Sequence, residues 1–163
     1  MAAESSFDVV SEFDRQELAT AIDQAEREIR TRYDLKDTKS EIRLDKETLV
    51  LQAPAEITLN SVRDLVESKM VRRGLSLKIL KVGPVERAAH GSVRQTITLQ
   101  RGISQELARD IAKVIREAHP KAKAQVQGDA VRVSAKSKDE LQSIIALLKA
   151  RDYPVPLQFT NYR

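Results

Sequence analysis

The strongest constraint on this chain is an internal duplication. Gln16-Glu17-Leu18-Ala19 recurs as Gln105-Glu106-Leu107-Ala108, and at the same offset Ile22 matches Ile111 and Arg27-Glu28 matches Arg116-Glu117. A shared tetrapeptide alone is weak, but here the same order of elements surrounds both copies. Four amphipathic helices are legible from spacing. The first follows Asp14 as cap, with Glu17 three residues on and an apolar stripe of Leu18, Ile22, Ala25 and Ile29. The second carries Leu59, Val62, Val66 and Met70 and stops at Arg72-Arg73-Gly74. The third opens at Ser104 and presents Leu107, Ile111, Val114 and Ala118. The fourth has a capping box, Ser137-Lys138-Asp139-Glu140, leading into Leu141, Ile144, Ile145 and Leu148.

Period-two segments between the helices predict strands at 7–10, 41–44, 49–52, 75–81, 93–100, 123–127, 130–134 and 157–160. Gly128-Asp129 is a favoured two-residue hairpin turn, and a second hairpin turns through Asp45, Lys46 and Glu47. Residues 83–91, opening with Gly83-Pro84, are the longest irregular stretch and the expected linker. Each half then reads β-α-β-β-α-β. This is the α+β, ferredoxin-like arrangement, with two helices on one face of a four-stranded antiparallel sheet.

Helices covering one face leave the other face to solvent, and alternation assigns the side chains. In the second half Ala124, Val126, Val131, Val133, Leu157 and Phe159 point at the helices, while Lys123, Gln125, Gln127, Arg132, Ser134, Gln158 and Thr160 point away. In the first half Ile42, Leu44, Leu49, Leu51, Ile97 and Leu99 point in. Arg43, Gln52, Arg94, Thr96, Thr98 and Gln100 point out. The open faces are therefore expected to be rich in amides and hydroxyls with a few cations, and poor in carboxylate. Glutamine donates and accepts at once, and arginine matches phosphate oxygens in pairs. Lys123 and Arg132 are candidates for phosphate, Gln125, Gln127 and Gln158 for base edges, and Arg43 and Arg94 for matching roles on the first sheet. A polar open face serves solubility equally well, and both roles fit the same residues. No exposed aromatic lies on the central strands, so the base-stacking mode of sheet-face RNA binders is not encoded.

Other chemistry is sparse. Zero Cys removes disulfides, thiolate metal sites and thiol nucleophiles. The five Gly are scattered singly, without a phosphate-cradling motif. His90 and His119 lack metal-ligand spacing, and no Ser has a His partner at motif spacing. Asp14 is read as a cap, and Asp8 and Glu12 as solvated acids. Arg72-Arg73 suits either a helix C-terminus or a phosphate. Neither catalysis nor a metal or cofactor is expected. No apolar run reaches the ~18 residues of a membrane span, and the N-terminus lacks a signal pattern, so a cytoplasmic protein is expected.

Several segments carry a family resemblance: Ser6-Phe7-Asp8-Val9-Val10-Ser11-Glu12, Arg32-Tyr33-Asp34-Leu35-Lys36, the hairpin Gln127-Gly128-Asp129-Ala130-Val131-Arg132-Val133, Lys136 to Gln142, and Pro156 to Arg163. Together they resemble the YajQ family of small bacterial nucleotide-binding proteins over essentially the whole chain. Tyr33, Leu35 and Tyr162 stand where Phe is usual. The resemblance implies a tandem pair of ferredoxin-like domains that have exchanged their first strands. The first would be residues 12–101 and the second 1–11 with 102–163. That exchange bears on charge. Cut at Gly91, the chain gives 15 basic and 17 acidic residues against 13 and 7, but the exchanged domains carry 17 and 15 against 11 and 9. The apparent basic half vanishes. The resemblance further implies nucleotide binding (cyclic di-GMP, GTP or ATP) without enzymatic activity, in an effector acting with a transcription factor. RNA, such as tRNA or a structured RNA, is the alternative ligand for the same faces, steeply salt-dependent through its phosphates. A third role is recruitment of a partner strand at an exposed sheet edge.

Overall fold

The computed structural model describes residues 4–163. Twelve regular elements follow in order: β1 (Ser5–Val10), α1 (Arg15–Thr31), β2 (Glu41–Leu44), β3 (Thr48–Ala53), α2 (Glu56–Arg72), β4 (Leu80–Arg87), β5 (Val93–Leu99), α3 (Gln105–Ala118), β6 (Lys123–Gln127), β7 (Ala130–Ala135), α4 (Lys138–Lys149) and β8 (Gln158–Thr160). Helix starts behave as the sequence predicts. Asp14 accepts from the Glu17 amide, Ser104 from Leu107 and Ser137 from Glu140, each satisfying one otherwise orphaned donor.

The strands form two antiparallel sheets, ordered β2-β3-β5-β4 and β6-β7-β1-β8. In both, the strand occupying the first position of a β-α-β-β-α-β unit comes from the other copy: β5 sits between β3 and β4, and β1 between β7 and β8. The fold is thus a tandem ferredoxin-like pair with exchanged first strands. One unit is the continuous segment Phe13–Gln100. The other joins residues up to Glu12 to Arg101–Arg163.

Each unit has its own core. Leu18, Ile22, Leu49, Leu51, Leu59, Val62, Val66, Met70 and Ile97 fill the first, while Phe7, Val9, Ile111, Ile115, Val131, Val133, Ile144 and Leu148 fill the second. The inward phase assigned by alternation is the buried one in both sheets, with Leu44, Leu157 and Phe159 partly buried against the cores. Val126 is the exception, 40% exposed at the hairpin end of the edge strand β6.

The region 75–91 departs from expectation. Residues 77–79 form a short 3-10 turn, β4 starts at Leu80, and the expected linker is largely the edge strand β4, which returns through 88–92 into β5. Its register shifts between Val82 and Val85. Pro84 is tolerated there because an edge bulge needs no ladder N–H from it. Gly83 is needed because a Cβ would stand 2.7 Å from the Thr96 carbonyl oxygen. Arg73, at the end of α2, pairs with Glu17 of α1 at 2.8 Å. Arg73 therefore ties the two helices together.

Candidate functional site

The open face of the β6-β7-β1-β8 sheet gathers most of the sequence-predicted residues. Gln125, Arg132, Asp8 and Thr160 are partners from strand to strand, so they form one row across the sheet. Gln127 pairs with Ala130 and Gln158 with Val10 in the next row, and Lys123 pairs with Ser134 on the other side. Arg43 and Arg94 lie apart from these, on β2 and β5 of the other unit, with β3 between them.

Carboxylates are more prominent than alternation suggests, and each predicted cation has one. Lys123 Nζ is 3.3 Å from Glu4, Arg43 Nε 3.2 Å from Asp45, Arg94 Nη2 3.6 Å from Glu86, and Arg132 Nε 2.9 Å from Asp8. Glu4 and Asp8 precede or lie on β1, and Glu86 lies on β4. Both strands were outside the alternation that assigned the faces. The first three pairs are exposed, and such pairs are weak and exchange readily with solvent or ligand.

Asp8 is different. It is 8% exposed, although it lies on the open side of a strand whose neighbours Phe7 and Val9 are buried in the core. Arg132 donates to it side-on, Nε to Oδ1 at 2.9 Å and Nη2 to Oδ2 at 3.4 Å, and Asn161 Nδ2 donates at 2.8 Å. The Arg132 hydrogen bond, above all, holds the Asp8 carboxyl below its ordinary range against the opposing effect of burial. Asn161 and the charge of Arg163 add to it. The same contact raises Arg132.

Asn161 reaches Asp8 because the chain changes phase there. Its φ is +56°, the left-handed region that Asn tolerates better than most residues. Continued alternation would send Asn161 inward and Tyr162 outward. Instead Asn161 meets Asp8, Tyr162 stands 6.1 Å from the core ring of Phe7, and Ser6 and Arg163 exchange backbone hydrogen bonds at 3.1 and 3.0 Å. Sequence reasoning missed Asp8 and Asn161. An isolated acid reads as solvated, and a left-handed Asn after a strand is the only signal that the phase breaks.

The remaining candidates have definite partners. Gln158 accepts the Glu12 amide on Oε1 at 2.7 Å, leaving its NH2 donors outside that bond. Gln52 donates to Ser92 at 3.2 Å. Arg43 lines a cleft of about 420 Å³ with Glu26, Arg30, Ser40, Glu41 and Gln52. Arg30 was not anticipated, because it sits on the helix and not on the sheet. Among the described residues no cluster of His and carboxylates suits a metal ion, and no helix is long and apolar enough to cross a membrane.

Comparison with known proteins follows the geometry. A family described as nucleotide-binding protein YajQ-like matches residues 5–163. The chain belongs to the YajQ family. Relatives named nucleotide-binding protein include those of Roseiflexus castenholzii, 56% identical over 165 residues, Thermosynechococcus vestitus, 56% over 163, and Trichodesmium erythraeum, 54% over 163. Each alignment covers 100% of this chain and of the relative. Within this YajQ fold, the strand exchange puts Asp8 beside Arg132.

Proposed function

We propose that this protein is a non-enzymatic binder of guanine nucleotides, an effector of the cyclic di-GMP type that acts through a partner such as a transcription factor. The name carried by its relatives supports nucleotide binding. The observation that favours guanine is the side-on clamp on Arg132. Asp8 takes Nε and one Nη2 hydrogen, so the end-on pair of donors, from Nη1 and Nη2, stays outside that contact. Those two parallel N–H groups match guanine O6 and N7, whereas adenine offers a donor in place of O6. Fixing the guanidinium beforehand lowers the ordering cost of binding. Gln125, next in the row, and Gln158 and Gln127 in the adjoining one, supply further donors and acceptors to the base. Lys123 serves phosphate. Arg43 and Arg94 offer matching contacts on the other sheet, Arg43 within its cleft.

Titration calorimetry with cyclic di-GMP, GTP and ATP tests the reading. Wild type is expected to prefer the guanine ligands, and Arg132→Ala to lose that preference by about tenfold or more, the scale of one good bidentate base contact. An Arg132→Ala variant that still separates GTP from ATP as wild type does removes this face as the reader. A salt series tests RNA at the same time, since polyphosphate binding weakens steeply with salt. Pull-downs with and without cyclic di-GMP test whether partner capture depends on the ligand.

A further inference from the structure

The open face carries a cation that the strand pattern conceals. Simple alternation from Phe159 would turn the Arg163 side chain toward the helices. The left-handed Asn161 inserts one residue, and the reciprocal backbone bonds then make Arg163 the partner of Ser6. Ser6 lies two residues before Asp8 in β1 and so on the same open side. Arg132 stands on β7 at one flank of β1, and Arg163 follows β8 at the other. The side-chain charges around β1 are therefore unequal. Asp8 binds Arg132 directly and also feels the charge of Arg163, so two guanidinium groups share one carboxylate there.

Arg163 also lines a groove of about 290 Å³ with Ser5, Ser6, Lys138, Leu141, Gln142 and Tyr162, where the start of β1 meets the start of α4. Two of its lining side chains are cations and none is a carboxylate. Two other grooves mix signs: Glu26 and Glu41 accompany Arg30 and Arg43, and Glu28 accompanies Arg27, Lys69 and Arg72. Lys138 opens α4, whose first-turn amides add a partial positive charge, and Ser5 and Ser6 bring hydroxyl donors.

We infer that Arg163 and Lys138 form the phosphate subsite of the ligand whose base is read at Arg132. This rests on the guanine reading above and assigns a separate part of the ligand to separate residues. Arg132 and Arg163 flank β1 on opposite sides, one same-face row apart, with roughly 12 Å between their backbones, a span that two arginine side chains and the ribose of a nucleotide bridge together. The Asp8–Arg132 couple suits an uncharged base edge, and the two cations lining the groove suit the anion. Asn161 is a positioning residue for both, holding Asp8 with its amide and turning Arg163 outward with its backbone.

Guanosine 5′-monophosphate and guanosine, titrated separately into the full chain, isolate the phosphate contribution. Wild type is expected to bind the monophosphate at least tenfold more tightly than the nucleoside. Arg163→Ala and Lys138→Ala should each remove most of that ratio while leaving guanosine affinity unchanged, and Arg163→Lys should restore part of it. Both residues are exposed, and thermal melts of the two variants confirm that the fold persists. A wild type that does not separate the two ligands overturns the assignment. So do alanine variants that keep the wild-type ratio, or that weaken guanosine equally. Arg132→Ala keeps the two inferences apart. If it leaves guanine selectivity intact while Arg163→Ala still lowers the phosphate ratio, only the base reading falls. The converse removes only the phosphate subsite.

Discussion

One sheet buries its polar centre beneath its own helices, and the other carries it on its open face. Register makes Phe7, paired with Val133 across from Ala124, the counterpart of Gln95, paired with Leu51 across from Ile42. Phe7 is fully buried beneath its helices. Gln95 is 3% exposed in the same layer, accepting from Arg63 at 3.0 Å and donating to the Gly83 carbonyl at 2.8 Å. On the open side the assignment reverses. Arg132 and Asp8 in one sheet answer to Val50 and Thr96 in the other. Each unit bends the chain at an edge strand beside its polar group, at Gly83-Pro84 within β4 in one and at Asn161 just after β8 in the other. Duplicated architecture thus fixes where strands lie and leaves free which surface receives the hydrogen-bonded cluster. Turned inward, the cluster is structural. Turned outward, it lies on the open face, where the proposed reading puts the ligand.

Substitution of the paired inner residues should break this contrast most visibly. Phe7→Ala empties a core site and is expected to cost about 3–5 kcal/mol in denaturant unfolding. Gln95→Ala should cost less, about 1–3 kcal/mol, mainly by stranding the Gly83 carbonyl and Arg63. Equal losses would mean that the two positions do the same work. Gly83→Ala, which drives a Cβ into the Thr96 carbonyl, should cost about 1–3 kcal/mol with little change in ligand binding.

Asn161 separates backbone from side chain. Asn161→Val should cost about 1–2 kcal/mol through its left-handed conformation, whereas Asn161→Gly keeps the turn and loses only the amide contact to Asp8. If glycine lowers stability as much as valine, the turn is not what matters there. The smallest effect is expected in acid. The folded Asp8 carboxyl lies below its unfolded value of about 3.9, so its contribution is complete above that pH and disappears as pH falls through the folded value. Asp8→Asn should therefore flatten the stability–pH curve below about pH 4. An unchanged curve would show that the pair adds nothing to folding.

The sequence revealed those parts of the fold that repeat a local signal over several residues. Caps at Asp14, Ser104 and Ser137 and the alternation around Leu49–Leu51 and Val131–Val133 are of this kind. Single-residue events were not legible. Gly83-Pro84 has the composition of a linker, yet here it is a bulge, because close approach and an edge position demand the same residues. Gln95 reads as a break in an apolar phase until Arg63, 32 positions away, supplies its partner. Asp8 depends on Arg132, 124 positions away, so no local window contains the reason for its burial. The candidate site was accordingly half legible. Its donors on the β6–β7 hairpin followed from alternation, and the groups that orient them did not.

The strand exchange also gives the two units different histories during synthesis. Everything that the Phe13–Gln100 unit needs has been made once residue 100 is joined, because its borrowed strand is its own last segment. The apolar strand 5–10 is made before the other strands and has no neighbour until the β7 segment arrives. Before then its Phe7-Asp8-Val9-Val10 edge is open to any passing strand. The single acid in that run, later locked to Arg132, is until then the group that keeps it in water.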